Sequence, residues 1–233
     1  MTINDFLDVQ NKIKGQYENE AQKTIVKSTE FFGEDILNPI ELCDSTILFL
    51  LYEIADTHSI KKGNVNEIDK MHLATAYLQG IDISTNLILE GNYIKAAATL
   101  KQDYEIMIRF NEIHKGKAKD GKTPNAKYGP ETFRDFYGYL NNIAHPSKIG
   151  VINKILNYQT EDFKQSISFV KQLQKGVAHR LITYNAAIKL EILRHILKAY
   201  FDIAGNNENY EKGLKHYLII EKTYTKIGMF EQR

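Results

Sequence analysis

Apolar residues recur at intervals of three and four along almost the whole chain, and that period constrains the fold more than any other feature. It is the spacing of helices that bury one face. Only four prolines occur, at 39, 124, 130 and 146, each beside a loop signal, so the long stretches between them carry no proline breaker. Alternating patterns of period two are scarce. The spacing therefore predicts an all-α protein folded as a single helical bundle of about seven to nine helices.

The first helix is expected to carry Phe6, Val9, Ile13, Tyr17, Thr24 and Phe31 and to end near Gly33. Asn38-Pro39 reads as an N-cap and first-turn proline for a second helix, Ile40 to about His58, apolar almost all round and hence central. A third helix is predicted from Asn66 to about Glu90, where Gly91-Asn92 breaks it. A fourth carries Tyr93, Ala97, Leu100, Tyr104, Met107, Ile108 and Phe110. Lys115 to Pro130 reads as the one long irregular stretch, after which Gly129-Pro130 opens an aromatic helix that Pro146 stops. A short segment around Ile149 to Asn157 follows, with Thr160 as the cap of the next helix. From Phe163 the pattern Phe163, Ile167, Val170, Val177, Leu181, Tyr184, Ile188, Ile192, Ala199, Ile203 predicts a helix of about forty residues, with a kink expected at Gly176. Gly205 stops it, and a last helix carries Tyr210, Leu214, Tyr217, Ile220, Tyr224 and Ile227. Within one domain, 1–60 reads as a helical hairpin, 66–204 as the core and 207–233 as a C-terminal helix.

The 30 basic and 29 acidic residues among 233 nearly cancel, so no global field draws the chain to nucleic acid or membrane, and such affinity must come from a local patch. The lone cysteine, Cys43, excludes an intrachain disulfide and suits a reducing compartment. No secretory signal and no apolar run of membrane-spanning length is visible. The expectation is a cytoplasmic protein without a membrane partner. The histidines do not assemble into a metal site by spacing. Asp69-x-x-His72 is a single carboxylate–histidine pair, short of the two Glu-x-x-His motifs of a bundle di-metal centre. Neither metal nor cofactor is expected.

Gly116 to Thr123, GKAKDGKT, matches the phosphate-cradling pattern G-x-x-x-x-G-K-[ST] letter for letter. That mechanism needs a strand entering the loop and a helix leaving it. Here helical periodicity precedes the loop, and Pro124 and Gly129-Pro130 follow it. The expected state is a solvated basic loop bearing Lys115, Lys117, Lys119, Lys122 and Lys127 against Asp120, able to attract phosphate groups or simply exposed to water.

Phe133 to Ser147, FRDFYGYLNNIAHPS, holds the best site candidates. Asn141 and His145 are four apart, and Asn142 is three from His145, so all three can meet on one face. An imidazole there is suited to proton transfer near neutral pH; the alternative is a cap on the last carbonyls of the helix. Lys101, Glu105 and Arg109 form an i, i+4, i+8 ladder on the fourth helix, either an exposed ion-pair face or the polar floor of a cleft beside His145. Arg134 adds a basic residue to the aromatic helix.

Leu140-Asn141-Asn142-Ile143-Ala144-His145 resembles the Arg-polar-x-x-x-His signature of the HEPN superfamily, helical bundles found in bacterial defence and toxin–antitoxin systems. Leu89 to Phe110 followed by the -AHPS- helix is similar to the core of uncharacterised bacterial HEPN-like proteins. Members with the full signature act as metal-independent ribonucleases, usually from a site built by a dimer, while others bind without cutting. Asn141 matches the polar position and His145 the histidine, but Leu140 stands where the arginine belongs. Arg134 lies eleven residues before His145, about 16 Å along a helix axis, too far to replace it locally. Only a lysine of the basic loop, or Arg109, is left to do so. The resemblance thus implies a homodimeric, non-catalytic module associated with RNA or nucleotide in a bacterial stress or defence system. The alternatives are a ribonuclease with a displaced basic residue, and a helical scaffold that engages a protein partner.

Overall fold

Gly33 and Gly205 end the two longest helices, and both take positive φ, +67° and +74°, where a side chain would be strained. The computed structural model describes residues 3–57, 65–145, 149–158, 166–167 and 171–230. Among them are nine α-helices, two 3-10 turns and one two-residue antiparallel ladder. The chain is an all-α bundle, as its periodicity predicts.

Helix α1 (Ile3–Phe32) ends at Gly33, and α2 (Glu34–Thr57) begins at once. The expected start at Ile40 is too late by six residues. Glu34 and Asp35 supply a negative first turn, which favours the start of a helix, and Leu37 N–H bonds Gly33 O at 3.2 Å. Pro39 lies inside α2 and forgoes one helical bond near its start.

The single helix expected from Asn66 to Glu90 is two, α3 (Val65–Leu78) and α4 (Ile83–Leu89). Around Gly80 the backbone turns through Gly80 N–H to Tyr77 O (3.0 Å) and Ile83 N–H to Gly80 O (3.1 Å). The break has a long-range cause as well as a glycine. It leaves the Ile81 carbonyl to accept a hydrogen bond from Lys189 Nζ.

Helix α5 (Tyr93–His114) matches expectation, with Tyr93, Ala97, Leu100, Tyr104, Met107, Ile108 and Phe110 all buried. The 3-10 turns Ala126–Tyr128 and Glu131–Phe133 lead into α6 (Arg134–Ala144), and α7 (Ile149–Leu156) follows. The forty-residue helix is shorter than its pattern. Asn157–Tyr158 pairs with Ser166–Ile167, and α8 starts at Lys175 and runs to Ala204. Gly176 is its second residue and makes no kink. Before α8, the Tyr93 hydroxyl accepts Gln174 N–H (2.9 Å) and donates to Gln172 O (3.2 Å). Gly91 lies so close that a Cβ on it would sit 2.8 Å from Gln172 O. His58, Pro146, Thr160, Phe163 and Val170 lie outside the described residues, as do the side chains of Phe6 and Arg134.

Helices α2, α5 and α8 make the centre, and α9 (Glu208–Lys226) packs across α2 and α8. Gly213 permits that crossing, since a Cβ there would stand 3.0 Å from Leu197 Cδ2 and 3.3 Å from Leu50. One apolar cluster joins residues from α1 to α9.

A polar network runs through this core. Lys189, 1% exposed, is 2.5 Å from Asp44 Oδ1; Ser84 donates to Asp103 (2.8 Å) and Asn185 to Thr85 (2.8 Å). Burial raises both Asp44 and Asp103 to about 6, only partly countered by Lys189 at Asp44 and by the Ser84 hydrogen bond and then Lys189 at Asp103. A buried charge of this kind persists only when it is paired and hydrogen-bonded. Among the described residues, no helix is long and apolar enough to cross a membrane.

Candidate ligand-binding site

Helix α6 is wedged between α5 and α8 by its aromatic residues. Tyr137 lies beside Tyr104 with ring centroids 5.6 Å apart, and its hydroxyl is 3.4 Å from Glu105 Oε1. Phe136 stacks on Tyr184 at 3.7 Å, and Tyr139 meets the same ring edge-on at 5.5 Å. Leu140 and Ile143 complete the inward face, 0% and 1% exposed. That orientation turns Asn141, Asn142 and His145 outward. Asn141 is half-buried, and Asn142 and His145 are exposed.

The end of α6 is closed by backbone. His145 N–H donates to Asn141 O at 3.2 Å, and His145 has extended geometry (φ −87°, ψ 116°). Among the described residues, the side chains of Asn141, Asn142 and His145 form no hydrogen bond, so the side-chain cap does not form there. Leu140 faces the core.

The ladder on α5 is not a ladder. Lys101 Nζ lies over the Tyr137 ring at 5.6 Å, Glu105 faces the Tyr137 hydroxyl, and Arg109 turns toward the basic loop. The Arg109 guanidinium donates to the carbonyls of Lys119 (3.2 Å) and Lys122 and pairs with buried Glu112 at 2.8 Å. Glu112 in turn accepts Asn125 N–H at 2.8 Å. Arg109 is thus spent on holding the loop.

Fastened in this way, the loop presents Lys115, Lys117, Lys119, Lys122 and Lys127, all exposed. Lys115 and Lys127 flank the Tyr128 ring at 5.6 and 5.0 Å. The phosphate-cradle pattern has neither of its structural partners, since α5 enters the loop and a 3-10 turn leaves it. Gly129 lets the chain pass the Tyr104 hydroxyl, which a Cβ would approach to 2.8 Å, with Ile108 beyond it at 3.5 Å.

These contacts fix the direction of α6. Gly129 lies by Tyr104 and Ile108, and Tyr137 by Lys101 and Tyr104, so α6 runs antiparallel to α5. The lysine loop and Arg109 sit at the start of α6, and Asn141 and His145 at its end, about 15 Å away along the axis. Arg109 and His145 therefore do not share one compact cleft. Sequence reasoning missed Arg180 on α8, whose guanidinium covers the Tyr139 ring at 4.8 Å. Its only sequence signal was a basic residue in an otherwise apolar pattern.

Two other concavities lie apart from the Asn141–His145 end of α6. Asp69, His72, Arg109, Lys119 and Asp120 border one of about 440 Å³. A larger groove of about 770 Å³ between α8 and α9 is bordered by Phe133, Leu190, Tyr217 and Phe230 with Glu191, Glu221, Lys222 and Lys226. Its charges are balanced, which gives it no preference for an anion. Among the described residues, no group of three or more His, Cys, Asp or Glu is placed to hold a metal ion. No family model matches the chain, and neither a curated protein nor a solved structure does.

Proposed function

We propose that the protein is a non-catalytic binding module for RNA or nucleotides, acting as a homodimer in the bacterial stress or defence setting that its HEPN-like motif implies. The observation that supports this reading is the loop held by Arg109, which offers five exposed lysines against the single acid Asp120. A bound polyanion releases counterions from such a patch, and a pre-ordered loop loses less entropy on binding. At the other end of α6, Asn141, Asn142 and His145 offer side chains without partners inside the described structure, suited to hydrogen bonds with base edges or the 2′-hydroxyl. Lys101 and Arg180 flank the helix between them.

The test is fluorescence anisotropy with a labelled single-stranded RNA, at several salt concentrations. The native chain binds, and its affinity falls as salt rises. Replacing Lys115, Lys117, Lys119, Lys122 and Lys127 together by Ala weakens binding at low salt at least about tenfold and flattens the salt dependence. Absence of binding by the native chain at low salt, or equal binding by the variant, rejects the reading.

A further inference from the structure

Tyr128 is met differently from the other aromatic side chains near the basic loop. Phe133, Phe136, Tyr137 and Tyr139 each have another ring beside them. Among the described residues Tyr128 has none. Two ammoniums lie over it instead, Lys115 Nζ at 5.6 Å and Lys127 Nζ at 5.0 Å, and no other described ring carries two. Neither lysine pairs with a carboxylate among the described residues, and both are exposed. The ring face that they cover is therefore one that water reaches.

The ring is also held in place. Tyr128 closes the 3-10 turn Ala126–Tyr128 and packs, half-buried, against the core. Its N–H donates to Asn125 O at 2.9 Å. Asn125 Oδ1 accepts Lys127 N–H at 3.1 Å, and Asn125 N–H donates to buried Glu112 at 2.8 Å. On the other side Gly129 lies so close to the Tyr104 hydroxyl that a Cβ would sit 2.8 Å from it. A ring anchored through both neighbours loses little freedom when something stacks on it.

Two cations over one fixed aromatic face suit a ligand that brings negative charge and a flat ring together. A nucleotide brings both. Its phosphates draw the ammoniums off the ring and the base takes their place, an exchange that gains because base stacking outweighs an exposed cation–π contact. A base inside a duplex is already stacked and paired, and freeing it costs energy. A bare polyanion occupies the lysines but leaves the ring to water.

We propose that Tyr128 is the stacking platform for one unpaired nucleobase, with Lys115 and Lys127 on the phosphates that flank it, so that the loop takes a single strand by its base as well as its charge. This rests on the RNA-binding reading above and narrows it.

Fluorescence anisotropy on the full chain, with a labelled single-stranded RNA, the duplex of the same sequence and an abasic strand of the same length, tests it. Tyr128→Leu keeps an apolar side chain against the core. It weakens single-strand binding at least about fivefold at every salt concentration, with the native salt slope, since no phosphate contact is lost. Duplex binding is the same for both proteins. Tyr128→Phe keeps single-strand affinity within about twofold of native, because the aromatic face remains. The native chain binds the abasic strand at least about fivefold more weakly than the RNA. Single-strand binding unchanged in Tyr128→Leu, or equal binding of RNA and abasic strand by the native chain, overturns the platform and leaves the binding reading standing. Weakening of both single strand and duplex by Tyr128→Leu also overturns it, since Tyr128 would then act only by holding the loop. Failure of the native chain to bind single-stranded RNA at low salt overturns the binding reading and the platform with it.

Discussion

Residues 140 and 145 show how little chain separates a core position from an exposed one. Leu140 fills the α5–α6 interface with no exposure, while His145 stands in solvent. Leu140→Arg would place a guanidinium among apolar side chains, which costs more than about 3 kcal/mol. His145→Ala, in contrast, shifts stability by no more than about 0.5 kcal/mol, because its side chain holds nothing in the described fold. Urea denaturation of both variants checks the pair. A stable Leu140→Arg protein would mean that α6 rotates or that the site opens, contrary to the packing seen here. Sequence spacing placed Asn141, Asn142 and His145 near the end of one helix, and α6 does end there, with His145 as its cap residue. It left the roles of Lys101, Glu105 and Arg109 open because their partners, Tyr137 and the loop carbonyls, come from outside α5.

At the level of elements, the helices that sequence delimits well are those whose stops are local. Gly33, Gly91 and Gly205 end α1, α4 and α8 through their own positive φ. The break between α3 and α4 was not legible, because the Ile81 carbonyl that it frees finds its partner in Lys189, more than a hundred residues away. The late start of α8 was hidden for the same reason, since Tyr93 and Gly91 hold residues 172–174 off the helix. The basic loop belongs with these cases. Its lysines predict solvent, but its order comes from Arg109 and Glu112 on α5. Arg109→Ala should cost about 1–3 kcal/mol by leaving Glu112 buried with a lost partner and should speed limited proteolysis between 115 and 130 several-fold. Unchanged cleavage would show that Arg109 does not hold the loop.

On the scale of the whole molecule, buried ionisable groups tie stability to pH in two opposing directions. His195 stacks on Phe110 at 5.3 Å. Burial lowers its imidazole from 6.5 to about 4, opposed by Glu191 and reinforced by Arg194, His114 and Lys70. The unfolded chain then takes up this proton first, so His195 removes stability as pH falls from about 6.5 toward 4. Asp44 and Asp103, raised to about 6 from 3.8, act the other way. They favour the folded state in acid, and that contribution is lost as pH rises from about 4 to 6. Comparing His195→Phe with the native chain isolates the first effect. Relative to native, the variant should be more stable at pH 5 than at pH 7 by on the order of 1–2 kcal/mol. Thermal or urea unfolding at the two pH values measures the difference, and an equal offset at both would place the proton elsewhere.

On the proposed function, a phosphate-bearing ligand lies along α6, from the lysine loop to the Asn/His turn. Amide hydrogen exchange on the full chain, with and without single-stranded RNA, tests it most directly. Slowed exchange is expected in peptides covering 115–130 and 138–145, with the α8–α9 groove unchanged. Protection confined to 187–191 and 217–230, with the loop and the end of α6 unaffected, would contradict it.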